Sequence, residues 1–214
     1  RDRLGDADDG VRLTALEGAA ALLETAAALG DRQQAVASGH GAVVSAAEAL
    51  CAKLSERCLD PNDAVRLRAV EVAAEVASGS AAGLELMLPV LPEMFRRVLD
   101  KKPRVREACA EAAARLYGKR ALPAWMEGRY EEAQTLNWIP QVLCEAYSVF
   151  IGGRLGHVAQ LEEYIEQHVL GCGAGFKDRE RAMALFGFCA AASQGPEASV
   201  RGLALLLSRK RDAN

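Results

Sequence analysis

Aromatic residues make up only 5% of this 214-residue chain, and it holds three threonines. With no alternating run of Val, Ile and Thr, that scarcity excludes a sheet-based fold. No segment reaches the roughly 18 uncharged apolar residues of a membrane span, and residues 1–10 are acidic and polar, unlike a secretory leader. A soluble chain is expected, with no membrane partner. A basic excess is missing too: 29 acidic against 26 basic side chains give a net charge of -3. That excludes a chain-wide clamp for DNA or RNA and leaves only a local patch. The chain begins at Arg1 rather than Met, so it reads as an internal segment of a longer protein.

Signatures of chemistry are equally sparse. Cys51, Cys58, Cys109, Cys144, Cys172 and Cys189 form no CxxC pair, and no histidine sits at ligand spacing from one. Most lie among Ala, Leu and Val at helical spacing, where a free thiol behaves as a small buried hydrophobe, so a reducing compartment follows. His40, His157 and His168 are isolated and none is followed by Glu, which removes the iron-holding His-Glu pair of helical-repeat hydroxylases. GCGAG at 171–175 and IGGRLG at 151–156 follow no strand and lack a phosphate-loop lysine, so they read as loops. Glu162 and Glu163 are adjacent, hence about 100° apart on a helix, and read as a solvated face. No catalytic, cofactor-binding or metal site is expected.

What the chain does have is Ala, Leu, Glu and Arg, with half its residues hydrophobic and 26% charged. Apolar positions recur every three or four residues, the helical period. The expected fold class is all-α. Three segments repeat: LGDADDGVRLTALEGAAALL from Leu4, LDPNDAVRLRAVEVAAEVA from Leu59 and LDKKPRVREACAEAAARLY from Leu99. Each carries Leu, then Asp, then a Val-Arg pair. Small or apolar residues follow at identical offsets: Ala15, Ala19, Leu22; Ala69, Ala73, Val76; Cys109, Ala113, Leu116.

This is the pattern of HEAT-type helix pairs stacked in a solenoid, a right-handed superhelix of antiparallel pairs. The corner Asp or Asn is expected to accept from free N–H groups at the start of the second helix. The arginine is expected to reach an acidic residue of the adjacent corner, making a ladder. Three helix-pair repeats are placed at 1–117, with a polar loop insertion near 29–41. A connecting loop follows at 118–137 with a helical piece near 127–136, then further repeats at 138–214. First helices of the pairs are expected at 43–59 and 84–99, the latter kinked or delayed to Pro92. Later helices are expected at 138–150, 158–169, 178–192 and 196–208.

The third corner differs from the other two by its charge. Lys101, Lys102 and Arg104 lie between Asp100 and Val105, whereas no basic residue lies between Asp6 and Val11 or between Asp60 and Val65. The cluster has the composition of a nuclear-import signal, but such signals act from extended chain, and Val105-Arg106 starts a helix. Four charges on one corner would also neutralise few phosphates. A structural and protein-binding corner is the better reading.

The segment DKKPRVREACAEAAARLY, followed about twenty residues later by WIPQVLCEAY, resembles the precocious-dissociation-of-sisters family of sister-chromatid cohesion regulators. The resemblance rests on Asp100, Lys101, Lys102, Val105, Arg106, Leu116 and Tyr117, then Trp138, Ile139, Pro140 and Tyr147. VAQLEEYIEQHVLG and KDRERAMALF fall where two further helices of the family are expected. The chain departs from the family pattern at Glu107-Ala108-Cys109, at Val142 and at Ser148.

The resemblance implies a non-enzymatic HEAT scaffold that binds the cohesin kleisin subunit. It also implies contact with the wings-apart-like releasing factor, its antagonist sororin in some lineages and the cohesin acetyltransferase, and with chromatin through cohesin in the nucleus. Some members are thought to hold an inositol polyphosphate in a basic pocket, which cannot be placed on this sequence. The residues expected to face a partner are Lys101, Lys102, Arg104 and Tyr117, with Trp138 and Tyr147, nine apart and expected on roughly one side of a helix, as further members. The rival is an unrelated HEAT adaptor, a transport receptor or microtubule-binding array; the latter would show basic residues in several successive corners rather than one.

Overall fold

The computed structural model describes residues 2–30, 32–151, 153, 155–171 and 175–212. Cys172 and parts of the two glycine-rich pieces, at 152, 154 and 172–174, lie outside the described residues. Among those described there is no strand, and no helix is long and apolar enough to cross a membrane. The chain divides into two compact units, 1–109 and 110–214.

The first unit opens with α1 (Asp9–Ala28), α2 (Arg32–Ala35), a π-helical turn (Val36–His40) and α3 (Gly41–Arg57). From Arg32 onward the expected loop at 29–41 is therefore helical, bent at Gly39, whose φ of 85° a side-chain-bearing residue rarely adopts. Then come α4 (Asp63–Gly79), α5 (Ala81–Met87), α6 (Leu91–Phe95) continued by a 3₁₀ turn (Arg96–Leu99), and the start of α7 (Pro103–Leu116). The stretch 84–99 is broken where Pro89 and Pro92 withhold N–H groups. It restarts at Leu91 with Pro92 in the first turn, where the missing donor costs nothing.

Each repeat's second helix begins the way its sequence dictates. Asp8 Oδ1 accepts from Val11 N–H at 3.1 Å, and Asn62 Oδ1 from Ala64 N–H at 2.8 Å. At the third corner the equivalent position is Lys102, which has no acceptor. There Pro103 opens the helix instead. The repeated small-residue line is buried in full along α4 and α7, whereas Ala15 and Leu22 of α1 are half-buried.

The second unit holds the rest of α7, a π-helical turn (Tyr117–Ala121), α8 (Leu122–Met126), α9 (Tyr130–Gln134) and α10 (Trp138–Phe150). It continues with α11 (Leu155–Tyr164) and its π-helical extension (Ile165–Val169), α12 (Asp178–Ser193) and α13 (Glu197–Asp212). The segment expected as a connecting loop at 118–137 is largely helical, because Tyr117, Ala121, Leu122 and Ala124 are all buried and hold it to the core. Two glycines permit close helix crossings. A Cβ on Gly202 of α13 would overlap the carbonyl of Cys144 in α10, and one on Gly118 would overlap the carbonyl of His168.

Candidate functional site

The corners of the first unit are built on one repeated hydrogen-bond scheme. Asp6, Asp60 and Asp100 accept through Oδ1 from the backbone N–H two residues on, at 3.2, 3.0 and 2.9 Å. Arg12, Arg66 and Arg106 each donate through Nη1 to the backbone carbonyl of their own corner's Asp, at 2.9, 2.8 and 2.5 Å. The fork then crosses to the next corner. Arg12 Nε and Nη2 donate to the Asp60 carboxylate, both at 2.9 Å, and Arg66 Nε and Nη2 donate to Asp100, both at 2.9 Å.

The ladder expected from the sequence is therefore present. Its rungs are buried: the Asp60 and Asp100 side chains are 0% and 3% exposed. Asp60 also takes Arg57 Nη1 at 2.8 Å, whereas Asp100 has only Arg97 at 3.7 Å besides Arg66, so removing Arg66 would leave the more poorly compensated buried charge. Burial by itself would raise the Asp100 carboxyl, but bonds from Arg66 and from the Lys102 N–H outweigh it and hold the group below the usual carboxylate range. A second, outer set of contacts follows the same register, with Asn62 donating to Asp9 and Lys102 Nζ lying 3.6 Å from Asp63.

The basic residues of the third corner sit outside this ladder. Lys101, Lys102 and Arg104 are all exposed. Lys102 is half-committed to Asp63, while Lys101 and Arg104 make no ion pair with any described residue. Beside Lys101 opens a recess of about 390 Å³ walled by Leu59, Pro61, Leu99, Arg96 and Arg97, with the Arg66–Asp100 fork at its base. Leu59 and Leu99 are 54% and 43% exposed there. The buried Nε of Arg97 has no hydrogen-bond partner among the described residues. Cationic donors above apolar lips suit an acidic segment carrying a large apolar side chain. The cluster is folded into a turn and a helix start, unlike an extended import signal.

The remaining candidates belong to the second unit, and two of them are not at the surface. Tyr117 is 1% exposed and meets Phe188 edge-on, ring centroids 6.3 Å apart. Tyr147 is fully buried, its hydroxyl donating to Glu162 Oε1 at 2.6 Å. Both were expected to face a partner, and both are core residues instead. Trp138 is half-buried, with its indole N–H donated to the Thr135 carbonyl at 3.0 Å. The expectation that Trp138 and Tyr147 share a side is also corrected. Nine residues are about two and a half turns, which places them on opposite sides of α10.

Glu162, expected on a solvated face, is a structural acceptor, taking Arg209 Nε at 2.9 Å as well as Tyr147. Its partners lie 15 and 47 residues away, beyond any local spacing rule. Ser148, a departure from the family pattern, accepts from Arg201 Nε at 3.0 Å.

The cysteines Cys51, Cys58, Cys109, Cys144 and Cys189 are free thiols. Burial pushes Cys51 up to about 11 and Cys58 and Cys144 up to about 12, so they stay protonated and inert near neutrality. No cluster of metal-ligating side chains occurs among the described residues.

Comparison with known proteins gives one family and a set of distant folds. Residues 2–212 match the family described as "Sister chromatid cohesion protein PDS5 protein". No curated protein matches. Solved structures similar to the chain include the designed armadillo repeat protein YIII(Dq)4CqI, 14% identical with a TM-score of 0.41, covering 95% of this chain and 85% of that one. A second designed armadillo repeat protein, solved in complex with the peptide (KR)4, has the same identity and TM-score, covering 95% of this chain and 84% of that one.

Proposed function

Because the chain belongs to the PDS5 family of sister chromatid cohesion proteins, we propose that it is a non-enzymatic scaffold segment in which the third corner binds the cohesin kleisin subunit. The observation that carries this reading is the separation of roles at that corner. Asp100, Val105 and Arg106 are spent on the ladder and core, while Lys101 and Arg104 project from it with no ion pair to a described residue. The mechanism is association: cations steer and orient an acidic segment, and the Leu59–Leu99 recess supplies apolar contact. The wings-apart-like releasing factor, sororin and the cohesin acetyltransferase are further partners under this reading, in the nucleus and on chromatin through cohesin. Family membership favours it over an unrelated transport receptor or microtubule-binding array. No cofactor is required, and an inositol polyphosphate is not assigned a place.

The test is kleisin capture by the wild type and by Lys101→Glu/Lys102→Glu. The double reversal weakens capture at least about tenfold with a nearly unchanged melting temperature, since the Lys102–Asp63 pair it breaks is exposed. Undiminished capture by a folded variant would sink the assignment.

A further inference from the structure

After its charged first turn, helix α12 is apolar around its whole circumference from Ala182 to Ala192, although only one side of it is covered. Its inner side is packed: Ala184, Gly187, Phe188, Ala191 and Ala192 are buried, with the Trp125 ring against Gly187. Its outer side carries Phe186, 70% exposed, and Leu185, 37% exposed, flanked by exposed Ala182 and Ala190 and half-buried Cys189. Positions 182, 185, 186 and 189 follow the i, i+3, i+4, i+7 spacing of one helical stripe. Apolar surface of this kind, organised along a helix, marks a site that another helix covers.

The charges around the stripe say which kind of helix. Arg179 lies two turns before Phe186, and Arg181 one turn before Leu185, both exposed and neither in an ion pair with a described residue. Of the acidic residues nearby, Glu180 is turned back to accept from the Lys177 N–H at 2.8 Å, and Asp178 sits in the first turn. With Lys177, the end of the stripe carries three cations against two anions, one of them already engaged.

We infer that the outer face of α12 is a second docking surface, for an acidic amphipathic helix that lays its apolar stripe on Leu185 and Phe186 and its carboxylates against Arg179 and Arg181. The site does not depend on the reading of the third corner, since it lies wholly in the second unit.

The probe is a blocked helical peptide of about 18 residues with Leu at i, i+3, i+4 and i+7 and Glu on its flanks, compared by fluorescence anisotropy with a twin carrying Lys for Glu. The acidic peptide binds the wild type at least about tenfold tighter than its twin. Phe186→Ser removes at least about tenfold of that affinity, and Arg179→Glu/Arg181→Glu inverts the preference. Both variants keep the wild-type melting temperature. The preference survives in the Lys101→Glu/Arg104→Glu background, which separates this surface from the corner. Equal binding of the two peptides, or a preference lost in the corner variant and kept in Phe186→Ser, overturns the inference. So does a wild-type dimer in sedimentation that Phe186→Ser abolishes while the acidic peptide fails to bind, for then the face pairs with a second copy.

Discussion

Successive corners of the first unit are stitched by buried Arg–Asp forks, whereas the second unit packs its helices through glycine contacts and aromatic rings, with a tyrosine–glutamate–arginine chain that runs from the core out to the surface. In the first unit the partner of each fork is dictated by the repeat: Arg12 finds Asp60 and Arg66 finds Asp100 because both occupy the same register one repeat apart. In the second, Tyr147, Glu162 and Arg209 meet without any repeated spacing. The first unit thus spends charge on joining repeats, and the second spends shape. In the first unit the surplus cations sit on one repeat corner, at Lys101 and Arg104.

That contrast can be broken most forcefully in the second unit. Gly202→Leu forces a side chain into the Cys144 carbonyl and is expected to cost roughly 4 kcal/mol or more, among the severest single changes. Thermal unfolding checks it, and a loss under about 1 kcal/mol would mean that α10 and α13 can separate freely.

Next in size, Arg66→Ala leaves the buried Asp100 carboxylate with only Arg97, 3.7 Å away, and is expected to cost about 3 kcal/mol. The double change Arg66→Met/Asp100→Leu removes both charges and recovers most of that loss, because the penalty comes from the unpaired ion. Denaturant titration of the two variants distinguishes pairing from mere volume.

Acid acts on the same rung. Asp100 titrates lower folded than unfolded, so its contribution is complete above the ordinary carboxylate range near about pH 4 and is lost as pH falls through its folded value. Melting temperature should therefore drop on acidification below about pH 4, and the drop should be shallower in Arg66→Met/Asp100→Leu, which lacks the carboxylate.

The ladder was legible in the sequence because it is periodic. Leu59-Asp60 and Leu99-Asp100 with their Val-Arg pairs announce both the corner and its partner 34 or 48 residues away. The helical piece expected near 127–136 appears as α9, but 29–41 and the rest of 118–137 were not legible as helix, because their Gly and polar residues read as turns. Tertiary burial of Ala35 in one and of Ala121, Leu122 and Ala124 in the other overrides that preference. At the candidate site, position in the repeat singled out Lys101, Lys102 and Arg104 as partner-facing, and all three are exposed. For Tyr117 and Tyr147 a motif position said nothing about depth, and only the neighbouring helices that supply Phe188 and Glu162 decide it.

The smallest structural effect and the largest functional one belong to the same change. Lys101→Glu/Arg104→Glu touches no described ion pair and should alter stability by less than about 0.5 kcal/mol. Calorimetric titration of an acidic segment of the proposed kleisin partner into wild type, into this double variant and, with a charge-reversed segment, into the variant again is the most direct test. The affinity should fall at least about tenfold at the wild-type melting temperature, with the reversed segment restoring binding to the variant. Equal affinity of the original segment for both proteins would contradict it.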